Sequence, residues 1–222
     1  MRRSHATVDQ DDLFDATDPG ATTVIVAPDV VLLRRFVVTQ ALRAEIERIA
    51  GVAPFRRLRT PGGGQMSVAM TNCGSTGWHS DTTGYRYVDA DPESGRPWPA
   101  MPAAFAALAD AAATAAGFGA FRPDCCLVNR YAVGTQMGIH RDFDERDLRQ
   151  PIVSVSIGLP AMFVWRGERR ASPPKPVRVV DGDVLVWGRA ARAGYHGVRR
   201  LAPPASAATE AVRYNLTFRR AR

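Results

Sequence analysis

The sequence predicts an α+β protein in which helices come first and a β core closes the chain. Apolar residues recur at helical spacing in two stretches, residues 39–51 and 102–117. From Asp124 onward the pattern changes to eight short runs rich in β-branched and aromatic residues, parted by turn residues. Even spacing of short strands points to a sandwich or barrel, and a jelly roll has about eight strands. The 222 residues leave room for a sizeable core, and one domain suits them better than two, since β barrels and sandwiches often run this long. No internal repeat is visible.

Residues 1–20 are polar and acidic, with Asp9, Asp11, Asp12, Asp15 and Asp18, and read as a loose arm. Residues 22–27 and 30–36 form a strand pair split by Pro28 and Asp29. Thr39 stands where it can N-cap a helix whose Leu42, Ile46, Ile49 and Ala50 share one face, with Gly51 as the stop. Thr60-Pro61-Gly62-Gly63-Gly64 is a flexible turn; no helix pattern follows it, so it is no phosphate loop. Residues 65–72 alternate Met66, Val68 and Met70 against Ser67, Ala69 and Thr71, the period of a strand. Residues 73–99 follow as a long polar connection carrying Trp78, Tyr85, Tyr87 and Trp98. Long aromatic-rich loops in compact domains are usually lids or binding loops. Pro102 opens an Ala-rich second helix that Gly117 stops, with Phe105 and Leu108 toward the core. The strands expected in the core are 125–131, 136–140, 152–157, 161–165, 177–180, 184–187, 195–198 and 212–218.

Composition narrows the class. Hydrophobic residues make up 45% and charged residues 23%, the balance of a soluble globular protein. No run of about 18 apolar residues offers a membrane span, and the start MRRSHATVDQDD lacks the apolar stretch of a secretory signal. A net charge of +7 and a pI near 10.0 suit a polyanionic partner such as nucleic acid. They fit a compositional bias too, because every basic residue except Lys175 is Arg. Cys73, Cys125 and Cys126 make neither a disulfide framework nor a Cys-x-x-Cys zinc pattern, so buried thiols in a reducing, cytoplasmic setting are expected.

Chemistry concentrates in residues 129–144, NRYAVGTQMGIHRDFD. His140 and Asp142 fall on one side of an extended strand, because side chains alternate faces with period two. With His196, in Tyr195-His196-Gly197, they would make two imidazoles and a carboxylate, the facial triad of non-haem Fe(II) oxygenases. The closing strand places Arg213, Asn215, Thr217 and Arg219 on one face, and Tyr214, Leu216 and Phe218 on the other. If the polar face points inward, two guanidinium groups enter a dry interior, which calls for a bound anion such as a dicarboxylate. If it points outward, the two Arg face water on an edge strand. Asn129 and Tyr131 share a face of their own strand and add hydrogen-bonding groups. His5 and His79 have no ligand spacing.

Asn129-Arg130-Tyr131, His140-x-Asp142, His196 and Arg213-Tyr214-Asn215-Leu216-Thr217-Phe218-Arg219 together resemble the AlkB family of Fe(II)- and 2-oxoglutarate-dependent nucleic-acid dealkylases. Thr60-Pro61-Gly62-Gly63, residues 66–74, Pro97-Trp98-Pro99-Ala100-Met101-Pro102 and residues 151–156 extend the likeness to its bacterial branch, over residues 14–219. Gly64 departs from the aromatic that bacterial relatives tend to carry. The resemblance implies a double-stranded β-helix (jelly-roll) core at 124–219, N-terminal helices and a nucleotide-recognition lid at 60–99, all one domain over 1–222. It implies Fe(II) on His140, Asp142 and His196, with O₂ as second cosubstrate. Arg213, Tyr131 and Asn215 would hold the distal carboxylate of 2-oxoglutarate, with Arg219 and Asn129 near its chelating end. Trp78 and Tyr85 would lie in the lid, Trp78 stacking on a flipped base, while Asp144 would favour cationic bases and Arg170 would contact substrate. The implied partner is alkylated DNA, single-stranded rather than duplex, or RNA, and the chain is expected to act as a monomer. Two other readings stay open, a dioxygenase acting on a small molecule and a non-catalytic jelly-roll binder of alkylated nucleic acid.

Overall fold

The computed structural model describes residues 22–204 and 211–222. The arm expected over residues 1–20 lies outside them. In chain order the elements are β1 (Thr23–Ala27), β2 (Val30–Leu33), α1 (Gln40–Val52), β3 (Ala69–Gly74), β4 (Gly77–Asp81), β5 (Gly84–Val88), α2 (Ala103–Ala115), β6 (Cys125–Ala132), β7 (Met137–His140), β8 (Ile152–Gly158), β9 (Ala161–Gly167), β10 (Lys175–Val179), β11 (Val184–Trp187), β12 (Tyr195–Val198) and β13 (Val212–Arg219).

The eight strands expected after Asp124 all form and divide into two groups of four. One sheet runs β10-β9-β12-β7; the other contains β11-β8-β13-β6, widened by β2 and β1 on one edge and by β3 on the other. Two facing antiparallel sheets of this kind make a jelly roll. The middle of the wide sheet is covered on both sides, and β2 and β11 there are apolar and buried throughout. Its outer face packs Val153, Val155, Ile157, Leu216 and Phe218 beneath Leu42, Ile46 and Ile49 of α1 and Phe105, Ala109 and Ala112 of α2. Its inner face meets the narrow sheet through Leu32, Leu127, Ile152, Leu185, Trp187, Phe163 and Trp165. The Ala-rich face of α2 lets that helix sit close to the sheet, and Phe105 meets Phe218 edge-on with centroids 5.9 Å apart. Among the described residues no helix is long and apolar enough to cross a membrane.

Four local expectations give way. Helix α1 runs through Gly51 to Val52, because Ile49 keeps it docked and the backbone needs no left-handed residue there. Thr39 occupies the N-cap position without making the cap bond; its hydroxyl donates instead to the Asp181 carboxylate at 2.9 Å. The strand expected over 65–72 begins only at Ala69. The turn at residues 60–64 folds the chain back, so that Met66 N–H bonds to the Leu58 carbonyl at 2.9 Å before β3 joins β6. The polar connection 73–99 contains a hairpin, β4–β5, whose turn is tied by Asp81 accepting from Thr83 N–H at 2.8 Å and Arg86 at 2.6 Å.

Phe105 is fully buried at the seam between α2 and the wide sheet. Phe105→Ala should lower the unfolding free energy by about 3–5 kcal/mol, as large-to-small changes in a packed core do. Urea denaturation with a loss below about 1 kcal/mol would mean that α2 does not seal the outer face.

Candidate active site

The inner faces of the two sheets enclose a cavity of about 720 Å³. His140 closes β7 and His196 lies on β12, and the two are directly opposed in the antiparallel register. Asp142 comes from irregular chain just past β7, not from the strand itself, because β7 ends at His140. Even so, the ligand atoms of His140, Asp142 and His196 all lie within 4.8 Å of one another, close enough to hold one metal ion. His140 Nε2 is 3.9 Å from Asp142 Oδ1, and His196 Nε2 is 3.8 Å from Asp142 Oδ2. Each imidazole is oriented from behind. Nδ1 of His140 sits 2.8 Å from the Gly138 carbonyl and Nδ1 of His196 sits 2.9 Å from that of Gly194. A carbonyl only accepts, so both Nδ1 atoms carry the proton and both Nε2 lone pairs face the cluster. A Cβ at Gly194 would run into the Trp165 ring, so only glycine brings that carbonyl behind His196. The His196 ring is walled by Trp187, with centroids 4.9 Å apart, and by Phe163 at 5.7 Å. Burial and the neighbouring His140 bring its pKa down to about 4, so it stays neutral at physiological pH, the form that binds a metal.

Behind Asp142 stands Arg219. Its Nη2 donates to Asp142 Oδ2 at 2.9 Å and its Nε lies 3.2 Å from Glu145 Oε1. Burial alone would raise the Asp142 carboxyl, but Arg219 and the two imidazoles outweigh it and hold that group well below the usual carboxylate range. Glu145 is buried and joins three elements: it accepts from the Tyr87 hydroxyl of β5 at 2.6 Å and pairs with Arg192 at 2.9 Å. Arg192, also buried, donates further to the Asp142 carbonyl at 2.9 Å and the Gln150 carbonyl at 2.9 Å.

The polar row of β13 does point inward. Arg213, Asn215, Thr217 and Arg219 are all buried and line the cavity. Arg213 donates to Ser156 Oγ at 2.9 Å and to the Leu159 carbonyl at 3.3 Å, and lies 6.0 Å from the Tyr131 ring centroid. Asn215 donates to Ser154 Oγ at 2.8 Å and accepts from Thr217 at 2.8 Å and from Asn129 at 3.3 Å. Burial pushes the Tyr131 hydroxyl up to about 12, against the pull of Arg213, so it remains a donor. Along this row and the paired strand β6, Arg213 Nε, Arg219 Nη1 and Asn129 Oδ1 are buried with no hydrogen-bond partner among the described residues. Two unpartnered guanidinium donors in a cavity fit a ligand with carboxylate groups, since leaving them dry is costly. The cluster and this row therefore fit an iron ion and a dicarboxylate together.

The remaining candidates line the same cavity. Trp78 and Tyr85, from β4 and β5, stack with centroids 5.6 Å apart and planes 18° from parallel. Trp78 Nε1 donates to Asp144 Oδ2 at 3.0 Å, and Asn72 grips the Trp78 backbone through both its amide atoms at 3.0 Å. Arg170 is exposed on the cavity wall. His79 is apart from the site and lies 3.4 Å from Asp81.

Sequence reasoning missed Glu145, Arg192, Ser154, Ser156 and Trp187. The serines had a visible signal, because they alternate with Val153 and Val155 in a strand otherwise apolar on both faces. Glu145 had none, since it stands in the run Asp144-Glu145-Arg146-Asp147, which reads as solvated surface.

Glu145→Gln should reduce stability by about 3–5 kcal/mol, because it leaves Arg192 and Arg219 buried with one anion fewer. Chemical denaturation of the metal-free protein checks this. A loss under about 1 kcal/mol would mean that the network is as wet as a surface ion pair.

Residues 29–219 match the model of the 2OG-Fe(II) oxygenase superfamily. The chain is 49% identical over 212 residues to the alpha-ketoglutarate-dependent dioxygenase AlkB of Escherichia coli (strain K12), which spans 95% of this chain and 97% of that protein. It is 49% identical over 197 residues to AlkB of Salmonella typhimurium, across 88% of this chain and 91% of the other. The AlkB homolog of Caulobacter vibrioides is 47% identical over 186 residues, 82% of this chain and 83% of its own. Among solved structures, that of OsALKBH1 aligns with a TM-score of 0.76 at 26% identity, over 90% of this chain and 100% of that one. With its jelly roll, its His-Asp-His cluster and its inward arginines, the chain belongs to the AlkB family of Fe(II)- and 2-oxoglutarate-dependent dioxygenases.

Proposed function

We propose that this protein oxidatively removes alkyl groups from N-alkylated bases such as 1-methyladenine and 3-methylcytosine, in DNA, preferring single strands, and in RNA. The observation that carries the reading is one cavity with a metal-ligating cluster, buried unpartnered guanidinium donors and an aromatic wall of Trp78 and Tyr85. Iron and 2-oxoglutarate would supply the O₂-dependent hydroxylation of an N-alkyl carbon, with succinate and CO₂ released and the product collapsing to an aldehyde and the free base.

The chain's own residues bind, orient and exclude water. His140, Asp142 and His196 would hold Fe(II). Arg213 would take the distal carboxylate of 2-oxoglutarate bidentately, with Tyr131 and Asn215 beside it. Arg219 and Asn129 would face its other end, and Arg219 would keep Asp142 ionised and in place. Trp78 and Tyr85 offer a flat apolar face to a base, and stacking suits every base alike. Asp144 adds a negative charge at the mouth, which favours a cationic alkylated base over a neutral one. Arg170 is suited to a phosphate or a substrate edge. The reading further takes the protein as a monomer working in the cytoplasm; three buried free thiols, Cys73, Cys125 and Cys126, suit a reducing compartment.

A panel of alkylated oligonucleotides incubated with the protein, iron, ascorbate and 2-oxoglutarate tests the function by mass analysis. Loss of the alkyl group from 3-methylcytosine is expected; succinate release without any change in the oligonucleotides would favour a small-molecule substrate instead. Arg213→Ala should weaken 2-oxoglutarate binding by roughly 2–5 kcal/mol, the cost of leaving a buried carboxylate unpaired. Unchanged affinity in a titration would remove Arg213 from the cosubstrate site.

Asp144→Asn keeps an acceptor for Trp78 but deletes the charge. Attraction at about 4 Å ranges from ~1 kcal/mol in water to ~4 kcal/mol at intermediate dielectric, so 3-methylcytosine should lose roughly tenfold more activity than neutral 1-methylguanine. Equal losses on both lesions would return Asp144 to a purely structural role.

A further inference from the structure

We propose that Phe143, Arg141 and Tyr195 form a stacking platform for the nucleotide next to the target base in a single strand. The inference rests on the nucleobase reading above and names a contact beyond the one made with the target base. Phe143 is 51% exposed, one of few large apolar side chains so open to water among the described residues. Its ring does not line the cavity itself but packs against Arg141, which does. The Arg141 guanidinium carbon lies 4.7 Å from the Phe143 ring centroid and 5.5 Å from that of Tyr195, so the cation makes a cation–π contact with each ring. Arg141 and Tyr195 also line the cavity.

An exposed aromatic beside a stacked guanidinium offers two things at once, a flat apolar face and fixed N–H donors. A nucleotide presents the matching pair, a base and a phosphate. The occupant argued for is nucleic acid because the platform is cationic on a chain of net charge +7. It is a single strand because a base in a duplex is already stacked and paired, and so has no free face to offer. The Trp78–Tyr85 pair would then grip the target while Phe143 takes its neighbour.

Two pentanucleotides test this, each with a central 3-methylcytosine, one with ordinary flanking bases and one with abasic sites in their place. For the wild-type protein, removing the flanking bases should raise KM about tenfold, within the range that base–aromatic stacking supplies. Phe143→Ala should bring the ratio of the two KM values close to one, and Phe143→Trp should keep it. A wild-type ratio near one, or a Phe143→Ala ratio equal to the wild-type value, overturns the platform. An equal rise in KM on both oligonucleotides also overturns it, since the ring would then merely support its loop. If the wild-type protein demethylates neither oligonucleotide, the nucleobase reading fails, and this inference with it.

Discussion

One guanidinium between two carboxylates holds the site in register. Arg219 lies at the end of β13, bonded to Asp142 on one side and paired with Glu145 on the other, with all three buried. Charges taken out of water cost several kcal/mol each, and mutual attraction offsets this only where geometry is good and partners are many. Here the partners come from separate parts of the chain. Glu145 also binds Tyr87 in the β4–β5 hairpin and Arg192 in the loop before β12. The hairpin presents Trp78 and Tyr85, and the loop leads to His196. Asp142, the aromatic wall and the sheet thus share a single electrostatic joint, and a shift in any one is felt by the others.

The wide sheet supplies the rest through the alternation of its strands. Along β13, Leu216 and Phe218 face the helices, while Arg213, Asn215, Thr217 and Arg219 face the cavity. The same period places Ser154 and Ser156 of β8 inward opposite Thr217 and Asn215, and Asn129 and Tyr131 of β6 inward opposite Asn215 and Arg213. An apolar outer face anchored by two helices keeps this polar inner row from slipping, since a one-residue slip would send Phe218 into the cavity and Arg219 into the helix core. Stability and chemistry are therefore carried by opposite faces of the same strands.

Much of this was legible in the chain. The eight core strands were visible because each is short, β-rich and bounded by turn residues, and their alternation separated the arginine face of β13 from its core face. Whether that face pointed inward was not decidable from spacing, because it depends on what covers the strand. The pairing of His140 with His196 is likewise a matter of register between distant strands. The β4–β5 hairpin hid because its alternating Trp78, Ser80, Tyr85 and Tyr87 are interleaved with polar residues, and a hairpin above a cavity needs no apolar face. Glu145 and Arg192 were unreadable for a different reason. A carboxylate in a charged run is solvated or buried according to the partners brought to it by tertiary structure, and those partners, Tyr87, Arg192 and Arg219, lie far away in sequence.

The central claim is that two cross-strand imidazoles and a braced carboxylate converge on one metal, with a dicarboxylate on the inward arginine. Anomalous diffraction from crystals grown anaerobically with manganese and 2-oxoglutarate measures it directly. The account predicts one metal bound by Nε2 of His140, Nε2 of His196 and a carboxylate oxygen of Asp142, with the ligand's far carboxylate on Arg213. A metal bound elsewhere, a histidine coordinating through Nδ1, or a ligand that leaves Arg213 unpaired would contradict it.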